Sequence, residues 1–154
     1  MIEQYLVTVG ITTYNSNLVY LSNAIDSATN QTYRNIEIII SDDGSNNIDE
    51  IENLIKNKKD KRITLLKNKQ NSGVSNSLNN IINFSKGDYF SWCPDDDYMH
   101  LSKIELQVRS LESEPQSISI CNHFQVLDIF NIKRIIKHAF YLKFVNIFLY
   151  LVTL

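Results

Sequence analysis

The chain has 154 residues, 44% of them hydrophobic, which is enough for one domain with a buried core but not for two. Its 15 Lys and Arg residues nearly balance 17 Asp and Glu residues, and a net charge of -2 excludes an overall field that attracts nucleic acid. The first four residues lack a basic and a long apolar stretch, so we expect no secretory signal and a cytoplasmic domain. Cys93 and Cys121 match no metal-ligand spacing and are expected to be buried free thiols.

The predicted elements are alternating strands and helices. Apolar runs predict five strands, at residues 5–12, 36–40, 63–66, 89–93 and 118–121. Apolar residues at helical spacing predict the helices between them: Leu18, Leu21, Ile25 and Ala28; Ile48, Ile51, Leu54 and Ile55; Val74, Leu78, Ile81 and Ile82; and a fourth set ending at Leu111. Because strands alternate with helices, we expect an α/β fold with a mostly parallel sheet and helices on both faces.

Short polar motifs predict where three of these helices begin or end. Residues 15–17 supply N-cap candidates for the first helix. Gly87 is predicted to close the third helix. Ser102 and Glu105 form an S-x-x-E capping box, which predicts the start of the fourth.

The sequence after residue 121 does not follow the alternation. An apolar run at 139–154, with basic residues before and within it, is shorter than the roughly 20 residues that span a bilayer. Two interpretations remain open: the run packs on a partner segment, or it lies on a membrane surface as an interfacial helix. We therefore divide the chain into residues 1–121 and an incomplete C-terminal region, 122–154.

Polar and acidic residues are concentrated in the loops that follow three predicted strands. They are Thr12, Thr13 and Tyr14 after the first strand, Asp42 and Asp43 after the second, and Asp95, Asp96 and Asp97 after the fourth. The carboxyl ends of parallel strands meet at one edge of a sheet, so we expect these loops to converge. Five neighbouring carboxylates repel one another, so some must protonate, move apart or share a cation. A shared Mg²⁺ or Mn²⁺ ion would relieve the repulsion and accept phosphate oxygens. The pattern predicts a site for a diphosphate-bearing ligand.

Each motif also has a structural interpretation. Residues 42–45 are typical of a turn and helix cap, and residues 95–97 of a solvated loop. Tyr14 is equally consistent with core packing and with a nucleobase platform. A receiver-type signalling domain also groups acids at a sheet edge, but it requires an acid pair after the first strand. Because neither G-x-G-x-x-G nor G-x-x-x-x-G-K-[ST] occurs, dinucleotide oxidoreductases and P-loop hydrolases are disfavoured.

Five short segments carry a family resemblance when they are taken together in chain order. They are Val9–Asn15, Gln31–Tyr33, Ile38–Ser45, Asn71–Gly73 and Gly87–Asp97. As a set, within residues 7–108, they resemble family 2 glycosyltransferases, which have the Rossmann-like GT-A fold.

The resemblance implies roles for the loop residues. The nucleotide-sugar is assigned to Thr12, Thr13, Tyr14, Asp42, Asp43 and Asp95, and the metal to Asp96 and Asp97. Within that set, Thr12 and Tyr14 would border the nucleobase, Asp43 would hold the base or its ribose, and Asp96 would bind the metal that bridges the diphosphate. Many relatives have an acid where Pro94 stands, which leaves the complete ligand set open.

The resemblance also implies a reaction, in which an acceptor hydroxyl attacks the anomeric carbon of a nucleotide-linked sugar, usually with inversion. The expected donor is a UDP-sugar, the acceptor a saccharide or other hydroxyl compound, and the cofactor Mg²⁺ or Mn²⁺. The expected role is cell-surface polysaccharide synthesis in the cytoplasm, with or without peripheral membrane contact. No segment matches the family's acceptor-side base. The alternative is therefore a non-catalytic remnant that binds nucleotide or a partner protein.

Overall fold

The computed structural model describes residues 5–113, 118–119 and 152–153. The strands are β1 Val7–Thr13, β2 Ile36–Asp42, β3 Ile63–Lys67, β4 Tyr89–Pro94 and β5 Val152–Thr153. The helices are α1 Leu18–Thr29, α2 Ile48–Lys58, α3 Val74–Phe84 and α4 Lys103–Ser113. The first four strands and all four helices occur where the sequence predicts them. Most of the strand ends differ from the predicted ones by one or two residues.

The sheet has the strand order β3-β2-β1-β4-β5, and β1 pairs in parallel with both β2 and β4. Strand β3 also runs parallel to β2, whereas the two-residue β5 is antiparallel to β4. Thr13 lies opposite Asp42, and Thr12 lies opposite Pro94. This register brings the carboxyl ends of three strands to one edge, as the predicted α/β fold requires.

The central strands are apolar because both faces of the sheet are covered. All seven residues of β1 are buried. On one face Val9 and Ile11 pack in a core with Leu21 and Ile25 of α1, and on the other Phe90 packs with Ile39 and with Ile81 of α3. Full burial of each such side chain stabilises the fold by about 2 kcal/mol. The core therefore holds the sheet edge in place from both sides.

Helix α1 begins and packs as its sequence indicates. The side chain of Asn17 accepts a 2.9 Å hydrogen bond from the backbone N–H of Val19, which confirms it as the N-cap. Of the four residues predicted to face the core, Leu21, Ile25 and Ala28 are fully buried, and Leu18 is partly buried against the same core. Helix α1 also contacts α2, where the Lys58 ammonium lies 2.7 Å from the Asp26 carboxylate.

The predicted end of the third helix is wrong. Helix α3 ends at Phe84, and the N–H of Ser85 closes it by donating to the carbonyl of Ile81. Gly87 instead lies against β1, where its N–H donates to the Thr8 hydroxyl and a Cβ would meet that oxygen at 2.5 Å.

Helix α4 begins at Lys103, directly after Ser102, as the sequence predicts, but Ser102 and Glu105 do not form the hydrogen bonds of a capping box. The Glu105 carboxylate accepts hydrogen bonds from the Thr32 hydroxyl and from Arg109, and the Ser102 hydroxyl contacts His100. Glu105 is therefore used to tie α4 to the segment after α1 and to a neighbour one turn along its own helix.

The C-terminal predictions fall largely outside the described residues. Ile118 and Ser119 are irregular and not in a strand, and residues 120–151 with Cys121 are not described. Of the apolar run, only β5 is described. Within the parts of the chain that the structure describes, no helix is long and apolar enough to cross a membrane. Cys93 is a buried free thiol, and burial raises its pKa to about 12.

Candidate functional site

The loops after β1, β2 and β4 meet at the carboxyl edge of the sheet. The N–H of Asp43 donates to the carbonyl of Thr13 at 2.9 Å, which joins the first two loops directly. Strand β1 lies between β2 and β4, and neighbouring strands are about 4.8 Å apart. The two acid-bearing loops are therefore separated by only the width of one strand at this edge.

Asp42 is used to form the turn after β2. Its Oδ2 atom accepts from the N–H groups of Gly44 at 3.1 Å and Ser45 at 3.0 Å. Gly44 has a φ of 80°, and a Cβ there would lie 2.7 Å from the carbonyl carbon of Gln70. The turn interpretation of this residue thus describes the geometry. Its Oδ1 atom is buried and has no hydrogen-bond partner among the described residues.

Asp43 joins the loop after β2 to the loop after β3. Its Oδ1 accepts from Asn68 Nδ2 at 2.8 Å and from the N–H and hydroxyl of Ser72 at 3.0 and 2.9 Å. Its Oδ2 accepts from the N–H of Gly73 at 2.7 Å. Burial raises the pKa of this carboxyl, but the four donors outweigh burial and lower the pKa to about 2. Asp43 is therefore an ionised, buried support for residues 68–73.

The loop after β1 exposes an aromatic ring on a well-held backbone. The N–H of Asn15 donates to Ser45 Oγ at 2.8 Å, and Asn15 Oδ1 accepts from the N–H of Asn46 at 2.8 Å. Asn15 takes the left-handed φ of 50° that asparagine tolerates. Tyr14 is 48% exposed, so core packing does not describe its side chain.

Sequence reasoning did not identify Trp92 as part of this edge. Its indole N–H donates to the Thr12 hydroxyl at 3.2 Å, and its side chain is 43% exposed although its neighbours Ser91 and Cys93 are buried. The signal was its position in β4, two residues before Pro94 and opposite Gly10. Thr12 itself is only 8% exposed, so little of its side chain is open to a ligand. Its hydroxyl instead holds the Trp92 indole in position.

Asp95, in the loop after β4, is directed toward the loop after β1. Its carboxylate accepts from the hydroxyl of Ser16, which in turn accepts from the Thr13 hydroxyl at 2.7 Å. Burial is the main cause of a raised Asp95 pKa, and the charge of Asp96 adds to it. The Thr13 hydroxyl and the N–H of Tyr14 act in the opposite direction.

Asp96 and Asp97 are exposed, beyond a turn in which the N–H of Asp97 donates to the carbonyl of Pro94 at 3.2 Å. The metal assignment to Asp96 and Asp97 stays a prediction, and the five carboxylates of these loops do not gather at one point. Within residues 5–113 and the two short described stretches, no three Asp, Glu, His or Cys side chains are placed to hold a metal ion. The physical reason is that Asp42 and Asp43 turn away toward N–H donors.

Comparison with known proteins shows the family of the chain. The sequence profile of Glycosyl transferase family 2 matches residues 8–151. The chain belongs to this family. The chain is 34% identical over 148 residues to the Escherichia coli UDP-Glc:alpha-D-GlcNAc-diphosphoundecaprenol beta-1,3-glucosyltransferase WfaP. The aligned region covers 92% of this chain and 57% of that protein. It is 44% identical over 106 residues to an uncharacterised glycosyltransferase of Rickettsia prowazekii, covering 69% of this chain and 32% of that protein. The chain thus spans little more than half, or less, of these relatives.

Solved structures show the same fold. Staphylococcus aureus TarS 1–349 in complex with UDP-GlcNAc matches with a TM-score of 0.71 and 18% identity, over 79% of this chain and 35% of that one. The mannosyltransferase PcManGT from Pyrobaculum calidifontis, in complex with GDP-Man and Mn²⁺, matches with a TM-score of 0.70 and 19% identity, over 84% and 39%. These similarities confirm that the family 2 member has the predicted GT-A fold.

Proposed function

We propose that this family 2 domain binds a nucleotide-sugar, with a UDP-sugar as donor, as part of a transferase that glycosylates a saccharide or other hydroxyl acceptor. One observation carries the proposal: three loops converge at the carboxyl edge and expose Tyr14 and Asp96 there. The choice of UDP is supported by two similar proteins, one named for UDP-Glc and one solved with UDP-GlcNAc. We assign donor binding to residues 1–121 and interpret residues 122–154 as the start of the acceptor side.

The nucleoside end of the donor is assigned to the loops after β1 and β2. Tyr14 offers an exposed ring on which a base can stack, an interaction worth about 1 to 3 kcal/mol per base. Asp43 Oδ2 accepts one hydrogen bond, and a carboxylate oxygen has room for a second donor. In this proposal that second donor is a base N–H or a ribose hydroxyl, and Asp43 also fixes the neighbouring loop.

The diphosphate end is assigned to the loop after β4. Asp96 and Asp97 are exposed oxygen donors, which is the ligand chemistry that Mg²⁺ and Mn²⁺ prefer. Asp95 fits the cation less well because its carboxylate already accepts from Ser16. A bound cation would supply stabilisation of the charge on the departing nucleoside diphosphate. The protein's own contribution is to hold Asp96 at the same edge as Tyr14.

Titration calorimetry with UDP, in the presence and absence of Mn²⁺, tests this assignment. We expect Mn²⁺ to strengthen UDP binding, Asp96→Asn to remove that strengthening, and GDP to bind more weakly than UDP. Glu112→Gln is a matched control, since it also removes one exposed negative charge but lies near Tyr89 at the amino end of β4. The proposal would be contradicted if Mn²⁺ did not change the affinity for UDP. It would also be contradicted if Mn²⁺ strengthened UDP binding equally in Asp96→Asn and in the unaltered protein.

A further inference from the structure

Two hydroxyl groups connect the loop after β1 to the acidic loop after β4. The Thr13 hydroxyl donates to Ser16 Oγ at 2.7 Å, and the Ser16 hydroxyl donates to Asp95 Oδ2. Ser16 and Asp95 are 79 residues apart in sequence. A hydrogen bond to a carboxylate is roughly twice as strong as one between neutral groups, so this contact is suited to strengthening the connection between the two loops.

The same short segment is also held from the other side by the loop after β2. Asn47 Nδ2 donates to the carbonyl of Ser16 at 3.2 Å, and the N–H of the adjoining Asn15 donates to Ser45 Oγ. Ser16 therefore lies between both acid-bearing loops and contacts each of them. Its hydroxyl faces β4 and its carbonyl faces α2.

Holding Asp95 fixes the position of its neighbour. Asp95 and Asp96 are the two central residues of the turn closed by the hydrogen bond from Asp97 to Pro94. When the Asp95 carboxylate is fixed against Ser16, the backbone of the turn is fixed with it. The exposed Asp96 side chain then projects from a defined point instead of from a freely moving loop.

We propose that Ser16 is a positioning residue that acts through Asp95 to hold the acidic loop in register with the loop carrying Tyr14. The proposal rests on the proposed function, because it takes Tyr14 and Asp96 as the two ends of a nucleotide-diphosphate site. It gives Asp95 a supporting role and leaves the cation to its neighbours. The consequence is energetic coupling, in which a bound cation strengthens nucleotide binding more when the two loops are held together.

The first experiment measures that coupling as a ratio of UDP affinities with and without Mn²⁺. We expect Ser16→Ala to reduce the ratio about tenfold, as loss of a hydrogen bond to a charged group implies. Ser16→Thr keeps a hydroxyl and should restore most of the ratio. Ser22→Ala is the control, because Ser22 Oγ also contacts a charged group, Lys58 Nζ at 2.7 Å, but between α1 and α2.

The second experiment needs no ligand. Trp92 is the single tryptophan of the chain, and its indole contacts Thr12, next to the Thr13 that begins the hydroxyl connection. We expect Ser16→Ala to shift the emission of Trp92 while the urea unfolding midpoint stays close to that of Ser22→Ala. Ser16→Thr should show the original emission.

The outcomes separate this proposal from the one it rests on. An unchanged ratio in Ser16→Ala, or no rescue by Ser16→Thr, overturns the positioning role while Mn²⁺-dependent binding survives. If the unaltered protein shows no effect of Mn²⁺ on UDP binding, the proposed function fails. In that case an unaltered Trp92 emission in Ser16→Ala also overturns the connection between the loops, and a shifted emission supports it.

Discussion

The loops after β2 and β4 begin from the same sequence pattern, adjacent aspartates at the end of a buried strand, but present their carboxylates differently. Asp42 and Asp43 are 1% and 4% exposed and accept six hydrogen bonds between them. Asp96 and Asp97 are exposed. An acid pair after a strand therefore predicts that the carboxylates lie at the edge of the sheet, but not whether they support the fold or stay exposed to a ligand. The role depends on whether the following residues supply N–H donors.

Gly44 is one physical cause of the difference. Its φ of 80° turns the chain so that its own N–H and that of Ser45 point back at Asp42, and it allows residues 70–71 to approach within 3 Å of where a Cβ would be. The loop after β4 has Pro94 and no glycine at the corresponding place. Its turn directs Asp95 inward to Ser16 and leaves Asp96 outside.

The largest expected effect is on stability in the loop after β2. Asp43→Ala removes the acceptor of Asn68, Ser72 and Gly73, and part-buried hydrogen bonds to a charged group are worth about 1.5 to 3 kcal/mol each. We expect the free energy of unfolding in urea to fall by about 3 kcal/mol or more. Asp96→Ala is the comparison and should change it by no more than about 0.5 kcal/mol. Equal losses in the two variants would erase the distinction between the loops.

Acid titration sharpens the same distinction. The folded-state pKa of Asp43 is lowered from 3.8 to about 2, so its contribution to stability is complete above the unfolded pKa and is lost as the pH falls from about 4 through about 2. Urea unfolding at several pH values in this window should show a loss that is smaller in Asp43→Asn. A pH dependence identical in that variant would show that another carboxyl is responsible.

The next largest effect distinguishes two glycines with positive φ. Gly44→Ala should lower the free energy of unfolding by about 2 kcal/mol or more. An alanine in the left-handed backbone conformation costs about 1 to 2 kcal/mol, and its Cβ would also overlap the backbone of Gln70. Gly73→Ala, at a φ of 90° and a ψ of 156° with nothing within 4 Å of the added Cβ, should lower the free energy of unfolding only by the backbone strain of this glycine-favoured region, about 1 to 3 kcal/mol. Thermal or urea unfolding measures both. A loss in Gly44→Ala no larger than backbone strain alone, about 1 to 2 kcal/mol, would mean that contact with residues 70–71 is unimportant.

Substitution of Tyr14 separates binding from stability in the loop after β1. Tyr14→Ala should weaken UDP binding about tenfold by removing a stacking surface, and the half-exposed position predicts little change in unfolding. Tyr14→Phe retains the ring and should bind as the unaltered protein does. Calorimetry would contradict the platform role if the alanine and phenylalanine variants were alike.

The smallest expected effect concerns the contact between Thr12 and Trp92. Thr12→Val keeps the shape of the side chain but removes the hydroxyl that accepts from the indole N–H. Because Trp92 is 43% exposed, a water molecule can accept that hydrogen bond instead. We expect a loss of less than about 1 kcal/mol in unfolding free energy, with a change in Trp92 emission. Thr8→Val is the contrast, since Thr8 is fully buried and its hydroxyl donates to Glu37 at 2.6 Å. A larger loss at Thr12 would indicate that Trp92 is a structural residue.

Much of the fold was predictable because period and burial are local signals. The apolar runs of β1 and β2, the buried face of α1 and its Asn17 cap can all be read within a window of about a dozen residues. The convergence of the loops followed from the parallel sheet rule. The Ser102–Glu105 motif located the start of α4, but its hydrogen bonds differ from the prediction because Glu105 accepts from Thr32 and Arg109 instead.

The internal organisation of the site was not predictable in the same way. The contacts of Asp43 with Asn68 and of Asp95 with Ser16 join residues 25 and 79 positions apart, and no local pattern reports such pairs. The sequence therefore indicated which acids reach the edge, but only the structure distinguishes those already used by the fold from those left exposed.

A crystal structure of this protein with UDP and Mn²⁺ tests the central claim most directly, through the anomalous signal of the ion. We expect manganese bound to the Asp96 carboxylate and to diphosphate oxygens, with the base beside Tyr14. We also expect Asp43 to keep its hydrogen bonds with Ser72 and Gly73. Manganese held by Asp42 and Asp43, or nucleotide bound away from this edge, would contradict it.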